Sequence, residues 1–143
     1  MAGTEQSIII NAPVETVYKA IVDYESYPSF LKEVESIQIL KRNGNVVDVE
    51  YTVNLVKRVS YSLRLTGTPN RSVRWELLKA SFMKSNDGGW KLEDLGDGRT
   101  RATYGLKVRV GRLVPKSIVD KLTVSTLPTT LKSFKQRAES LAQ

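Results

Sequence analysis

Three tyrosines, Tyr51, Tyr61 and Tyr104, and two tryptophans, Trp75 and Trp90, are the side chains whose spacing could give this sequence a chemistry of its own. Four of the five fall on the apolar parity of an alternating segment. These segments are Val47, Val49, Tyr51, Val53, Leu55; then Val59, Tyr61, Leu63, Leu65; then Val73, Trp75, Leu77; and later Ala102, Tyr104, Leu106, Val108, Val110. Trp90 opens a further short strand, Trp90-Lys91-Leu92-Glu93. A phenol turned into an apolar interior needs a hydrogen-bond partner or an open space. The facing strands offer mostly aliphatic residues, so three inward tyrosines argue for a cavity, apolar with a few polar points, of the kind that binds small molecules. The carboxylates Asp48, Glu50 and Glu76 have the opposite parity and read as solvated strand-face residues. Proton transfer would fall to a tyrosine such as Tyr104 or to a carboxylate at the mouth.

Absences narrow the chemistry further. The 143 residues include no cysteine and no histidine. That removes disulfides, thiolate nucleophiles, zinc–thiolate sites and the commonest general base near neutral pH. A Ser-His-Asp triad is excluded outright. No acidic cluster has calcium-loop spacing, and Gly96-Asp97-Gly98 reads as a hairpin turn, not a phosphate cradle. The expectation is no metal, no cofactor, and binding ahead of catalysis.

The elements that must position these residues follow from period and punctuation. Ser7 to Ile10 reads as a strand, and Pro13 suits the first turn of a helix carrying Val14, Val17, Tyr18, Ile21 and Val22 at helical spacing. Ser26-Tyr27-Pro28 starts a second helical turn through Phe30 and Leu31. About six meandering strands follow, with turns at Asn43-Gly44, Pro69-Asn70, Asn86 to Gly89 and Gly96 to Gly98. From Pro115 a helical period runs to Leu141, and Pro128 should kink or split that helix. The fold expected over residues 1–143 is α+β: a curved antiparallel sheet of about six to seven strands wrapped around a long C-terminal helix, with two short helices after strand 1. One apolar sheet face must be covered, and the C-terminal helix is the only long cover available.

The formal net charge is +7, and from Gly98 onward ten Lys and Arg face only Asp120 and Glu139. Arg101, Lys107 and Arg109 share the outward parity of the last strand, and Arg58 and Arg64 are outward in the meander. This basic face reads first as solvated surface. Its alternatives are an RNA contact and an anionic membrane surface; no aromatic is interleaved for base stacking. Met1 to Gln6 lacks the basic and apolar pattern of a signal peptide, and no apolar run reaches membrane-spanning length, so a cytoplasmic protein is expected.

The opening run Ile8-Ile9-Ile10-Asn11-Ala12-Pro13-Val14-Glu15-Thr16-Val17-Tyr18 resembles the start of the START-like, helix-grip (SRPBCC) superfamily, in its polyketide cyclase/dehydrase or coenzyme Q-binding-like branch. Asp23-Tyr24, Tyr27-Pro28, Phe30-Leu31, Gly89-Trp90, Thr100 to Tyr104 and Leu127-Pro128 follow in that family's order. The resemblance covers nearly the whole chain and implies a hydrophobic cavity between sheet and C-terminal helix, holding a lipid, quinone or polyketide-like molecule. Its wall would be Tyr51, Val53, Tyr61, Leu63, Trp75, Trp90 and Tyr104, its helix side Ile118, Leu122 and Phe134, with Phe30 and Phe82 nearer the mouth. The enzymatic alternative is a metal-free cyclase/dehydrase, which would need inward acid and base groups that these positions do not supply; one branch of the family associates with the ribosome, so the resemblance also implies a ribosome contact as an alternative for the basic face.

Overall fold

The computed structural model describes residues 2–54, 57–123 and 126–143. In chain order the elements are β1 (Ala2–Ile10), α1 (Val14–Val22), a 3-10 helix (Tyr24–Ser29), β2 (Val34–Asn43), β3 (Val46–Asn54), β4 (Arg58–Thr68), β5 (Ser72–Ala80), β6 (Met83–Asp94), β7 (Thr100–Val110), α2 (Lys116–Thr123) and α3 (Leu127–Leu141). The seven strands form one antiparallel sheet in the order β1-β7-β6-β5-β4-β3-β2. Register shifts interrupt the ladders at Val34/Ser36, Ile39/Lys41, Ser62/Leu63 and Met83/Ser85. Such bulges bend and twist the strands that carry them, which curves the sheet around its apolar face.

That face alternates as the sequence predicts: Val47, Val49, Tyr51 and Val53 are buried while Glu50 and Thr52 between them are partly exposed; Leu55 lies outside the described residues. α3 covers the concave side with Leu127, Leu131, Phe134 and Ala138, spaced four, three and four residues apart on one stripe. α1 contributes Val14, Val17, Ala20 and Ile21. A clasp fixes α3 to the end of β1: the Lys135 ammonium donates to the Ile9 carbonyl at 2.9 Å and to Glu139 at 2.5 Å, and Glu139 accepts from the Asn11 amide at 2.8 Å.

Three local expectations change. β1 starts at Ala2, not Ser7, because pairing with β7 from Ala2–Val108 to Ile10–Thr100 overrides the weak strand propensity of Gly3 to Gln6. Asn86 to Gly89 is not a turn but the middle of β6, and the β5–β6 connection falls at Ser81 and Phe82. The first hairpin turns on Gly44 and Asn45, one residue later than expected, with Gly44 at φ +59°. The C-terminal helical period splits into α2 and α3, as expected at Pro128, which stands in the first turn of α3, where its missing N–H costs nothing. Of the weak stretch Thr123 to Thr126, residues 124–125 lie outside the described residues.

Candidate functional site

The concave sheet face and α3 enclose a cavity of about 150 Å³. The register builds its aromatic wall. Tyr51 and Tyr61 are direct cross-strand partners on β3 and β4, and their rings stack at 5.4 Å with planes 9° apart. Trp90 and Tyr104 are partners on β6 and β7, edge to face at 5.1 Å. Phe134 closes the chamber from α3, with its ring 5.1 Å from Trp90, 5.3 Å from Tyr27 and 5.1 Å from Phe30. Edge-to-face contacts of this kind fix ring orientation beyond what burial alone does.

Gly88 makes room for the fifth ring. It lies directly opposite Trp75, and a Cβ at this position would sit 2.7 Å from the Trp75 indole and 2.5 Å from the Gly105 carbonyl oxygen. The indole can therefore lie across β6, where its N–H donates to Asn86 Oδ1 at 3.0 Å. Asn86 is turned into the cavity wall just past the Met83/Ser85 register shift. It is a buried polar residue that the turn reading of Asn86 to Gly89 concealed.

The hydroxyls divide into two classes. Tyr27 donates to the Ile21 carbonyl at 2.5 Å. Ile21 lies in the last turn of α1, where carbonyls lack intrahelical partners, so this phenol caps the helix. Tyr51, Tyr61 and Tyr104 have no hydrogen-bond partner among the described residues, yet no fully closed-off side-chain oxygen or nitrogen is left unpaired there. Their hydroxyls therefore open onto the void. Burial pushes Tyr61 up to about 12 and raises Tyr51 and Tyr104 further, neighbouring tyrosines adding to the effect. All three stay neutral at physiological pH and offer a hydrogen-bond donor and acceptor, not a phenolate base.

Of the residues expected at the site, Tyr51, Val53, Tyr61, Leu63, Trp75, Trp90, Tyr104 and Phe134 line the cavity. Phe30 and Phe82 do not; they pack edge-on behind Phe134 and Tyr61 respectively. Ile118 is buried on α2 without joining the lining, and the Leu122 side chain lies outside the described residues. Sequence reasoning missed Tyr27, Asn86, Glu33, Lys121, Thr126 and Thr130 among the lining residues. The exposed Lys121 and the half-buried Glu33 mark the opening, between the α2–α3 junction and the turn into β2.

The outward carboxylates take no part in the cavity. Asp48 receives two bonds from Arg64, at 2.9 and 3.1 Å, and that guanidinium holds its carboxyl below the usual range. The basic residues are dispersed. Arg58 pairs with Glu35 at 2.6 Å and Arg101 with Glu93 at 2.7 Å; Lys107 lies in register with Asp87, and Arg109 opposite Ser85. Arg58 and Arg64 on β4 are separated by β5 and β6 from Arg101, Lys107 and Arg109 on β7. Among the described residues no cluster of three or more acidic side chains could hold a metal ion, and no helix is long and apolar enough to cross a membrane.

Residues 10–135 match the family described as polyketide cyclase / dehydrase and lipid transport. Three solved structures superpose over nearly the whole chain. The Zhui aromatase/cyclase from Streptomyces sp. R1128 has a TM-score of 0.85 at 18% identity, covering 99% of this chain and 96% of that one. A START superfamily protein from Mycobacterium smegmatis gives 0.84 at 22%, covering 97% and 98%. A protein from Thermus thermophilus gives 0.87 at 22%, covering 99% and 100%. At these identities the likeness concerns the fold. No curated protein gives a significant match.

Proposed function

This chain belongs to the polyketide cyclase / dehydrase and lipid transport family, and from that premise we propose that it is a binding or carrier protein for an apolar small molecule held between the sheet and α3. One observation carries the reading: three phenol hydroxyls without a partner among the described residues face a void walled mainly by aromatic and aliphatic side chains, with Glu33 and Lys121 at its opening. The volume of about 150 Å³ suits the ring portion of a ligand, since a cavity of about that size accepts benzene. A ring would stack within the aromatic chamber, its oxygen or nitrogen substituents meeting Tyr51, Tyr61 or Tyr104. Any remaining chain would extend toward Glu33 and Lys121. Each buried CH₂ contributes about 0.8 kcal/mol, so a ligand of modest size reaches useful affinity without ionic contacts.

Catalysis finds less support. The neutral tyrosines can polarise a carbonyl by hydrogen bonding, but Glu33, at the opening, is the one carboxylate among the described lining residues. The test is native mass spectrometry of the purified protein, followed by denaturing extraction and identification of what is released. A stoichiometric ring-containing lipid, quinone or polyketide supports the carrier reading. Protein that is free of ligand and also fails to bind a panel of apolar fluorescent dyes overturns it.

A further inference from the structure

The register gathers several connections at one end of the sheet. Val34 pairs with Val53, Asn54 with Arg58, Tyr61 with Ala80, Met83 with Val110 and Ala2 with Val108. The turn into β2, the Asn54 and Arg58 ends of β3 and β4, the β5–β6 connection and the β7–α2 loop therefore share the end where Glu33 and Lys121 mark the cavity opening. In the last of these loops Leu113 is 97% exposed, between Arg112 and Lys116. Lys57, Lys79, Lys84 and Arg109 surround the same end. These four, with Arg112 and Lys116, are exposed and have no ion-pair partner among the described residues. Carboxylates there include Glu33, Asp120 and Glu35, and Glu35 is already engaged by Arg58.

We propose that this end of the molecule docks on an anionic membrane surface, with Leu113 inserted at headgroup depth and the surrounding cations over the lipid headgroups. A leucine side chain standing in water gains by burial, and cations beside an anionic leaflet each strengthen attachment about five-fold. The exposed leucines here, Leu113 at the tip and Leu78 beside Lys79 on β5, stand among charges and lack the contiguous apolar centre of a protein–protein interface, but an apolar tip ringed by cations matches what a bilayer interface accepts. The proposal goes beyond the carrier reading and does not depend on what the cavity holds.

Co-sedimentation of the full chain with phosphatidylcholine vesicles, with and without about one-third phosphatidylserine, tests it. Binding should require the anionic lipid and fall steeply with salt. The double variant Arg112→Glu/Lys116→Glu should lower partitioning by at least about 25-fold, two factors of about five. Leu113→Ser should weaken it several-fold at constant charge. Arg71→Glu, in the β4–β5 turn at the opposite end, should leave it nearly unchanged. These are exposed positions whose substitution leaves folding intact. No sedimentation with anionic vesicles at low salt, or equal losses from Arg71→Glu and the double variant, overturns the proposal. Binding undiminished by Leu113→Ser also overturns it, because attachment would then be electrostatic alone, with no leucine inserted.

Discussion

Replacing Tyr27, Tyr51 and Tyr104 one at a time by phenylalanine separates a hydroxyl that holds the protein together from hydroxyls that face the cavity with no partner among the described residues. The Tyr27 hydroxyl is bonded to the Ile21 carbonyl in the interior. Removing it forfeits a hydrogen bond of net value about 0.5–1.5 kcal/mol and leaves a buried acceptor unpaired, which costs about 1–3 kcal/mol. Tyr27→Phe should therefore lose roughly 2 kcal/mol, lowering Tm by about 6–8 °C for a domain of this size. Tyr51 and Tyr104 carry a desolvation cost with no partner among the described residues, as their raised pKa values record. Tyr51→Phe and Tyr104→Phe should lie within about 0.5 kcal/mol of the parent, or be slightly more stable. Urea titration of ligand-stripped protein, followed by the fluorescence of Trp75 and Trp90, reads all three at a common m-value. Should Tyr51→Phe or Tyr104→Phe lose as much as Tyr27→Phe, those hydroxyls are engaged by the protein and the cavity has no free polar points.

Other substitutions probe the frame around the cavity. Phe134→Ala removes the ring that meets Tyr27, Phe30 and Trp90 and should cost about 3–5 kcal/mol, measurable by the same titration; a loss below about 1 kcal/mol would mean α3 is not the packed cover. Gly88→Ala drives a Cβ into the Trp75 indole and the Gly105 carbonyl and should destabilise by about 1–3 kcal/mol, with changed tryptophan emission as Trp75 leaves Asn86. The Lys135 hydrogen bond holds the Glu139 carboxyl below its usual range, helped by the Asn11 amide. A depressed carboxyl contributes stability that is present above its unfolded pKa and lost as pH falls through the lower folded value. Glu139→Gln should therefore be destabilising at neutral pH and show a smaller decline than the parent on acidification below about pH 4; parallel acid limbs would show that the clasp contributes no pH-dependent stability.

Much of the frame was legible because it depends on local period. Two-residue alternation over Val47 to Val53 and Val73 to Leu77 identifies strands and their inward faces, and Leu127, Leu131, Phe134 and Ala138 fall on one stripe at any helical spacing. The inward tyrosines were legible for the same reason. Asn86 to Gly89 misled because an Asn-Asp-Gly-Gly run has the composition of a turn. What keeps it in a strand is distant: the Trp75 ring needs the space above Gly88, and β7 supplies the ladder. Gln6 and its neighbours likewise become strand only because β7, about a hundred residues later, offers an edge.

The kind of chemistry open to this protein follows from its residue types and their parity. Without cysteine or histidine, and with acids on outward parity, composition alone closes thiolate and imidazole-based mechanisms. Which phenols lack a partner among the described residues depends on packing in three dimensions. Tyr27 and Tyr51 are the same residue type, and both are buried, but one meets the end of α1 while the other meets empty space. Hydrogen-bond satisfaction depends on what lies within about 3 Å in space, and no one-dimensional pattern carries that distance.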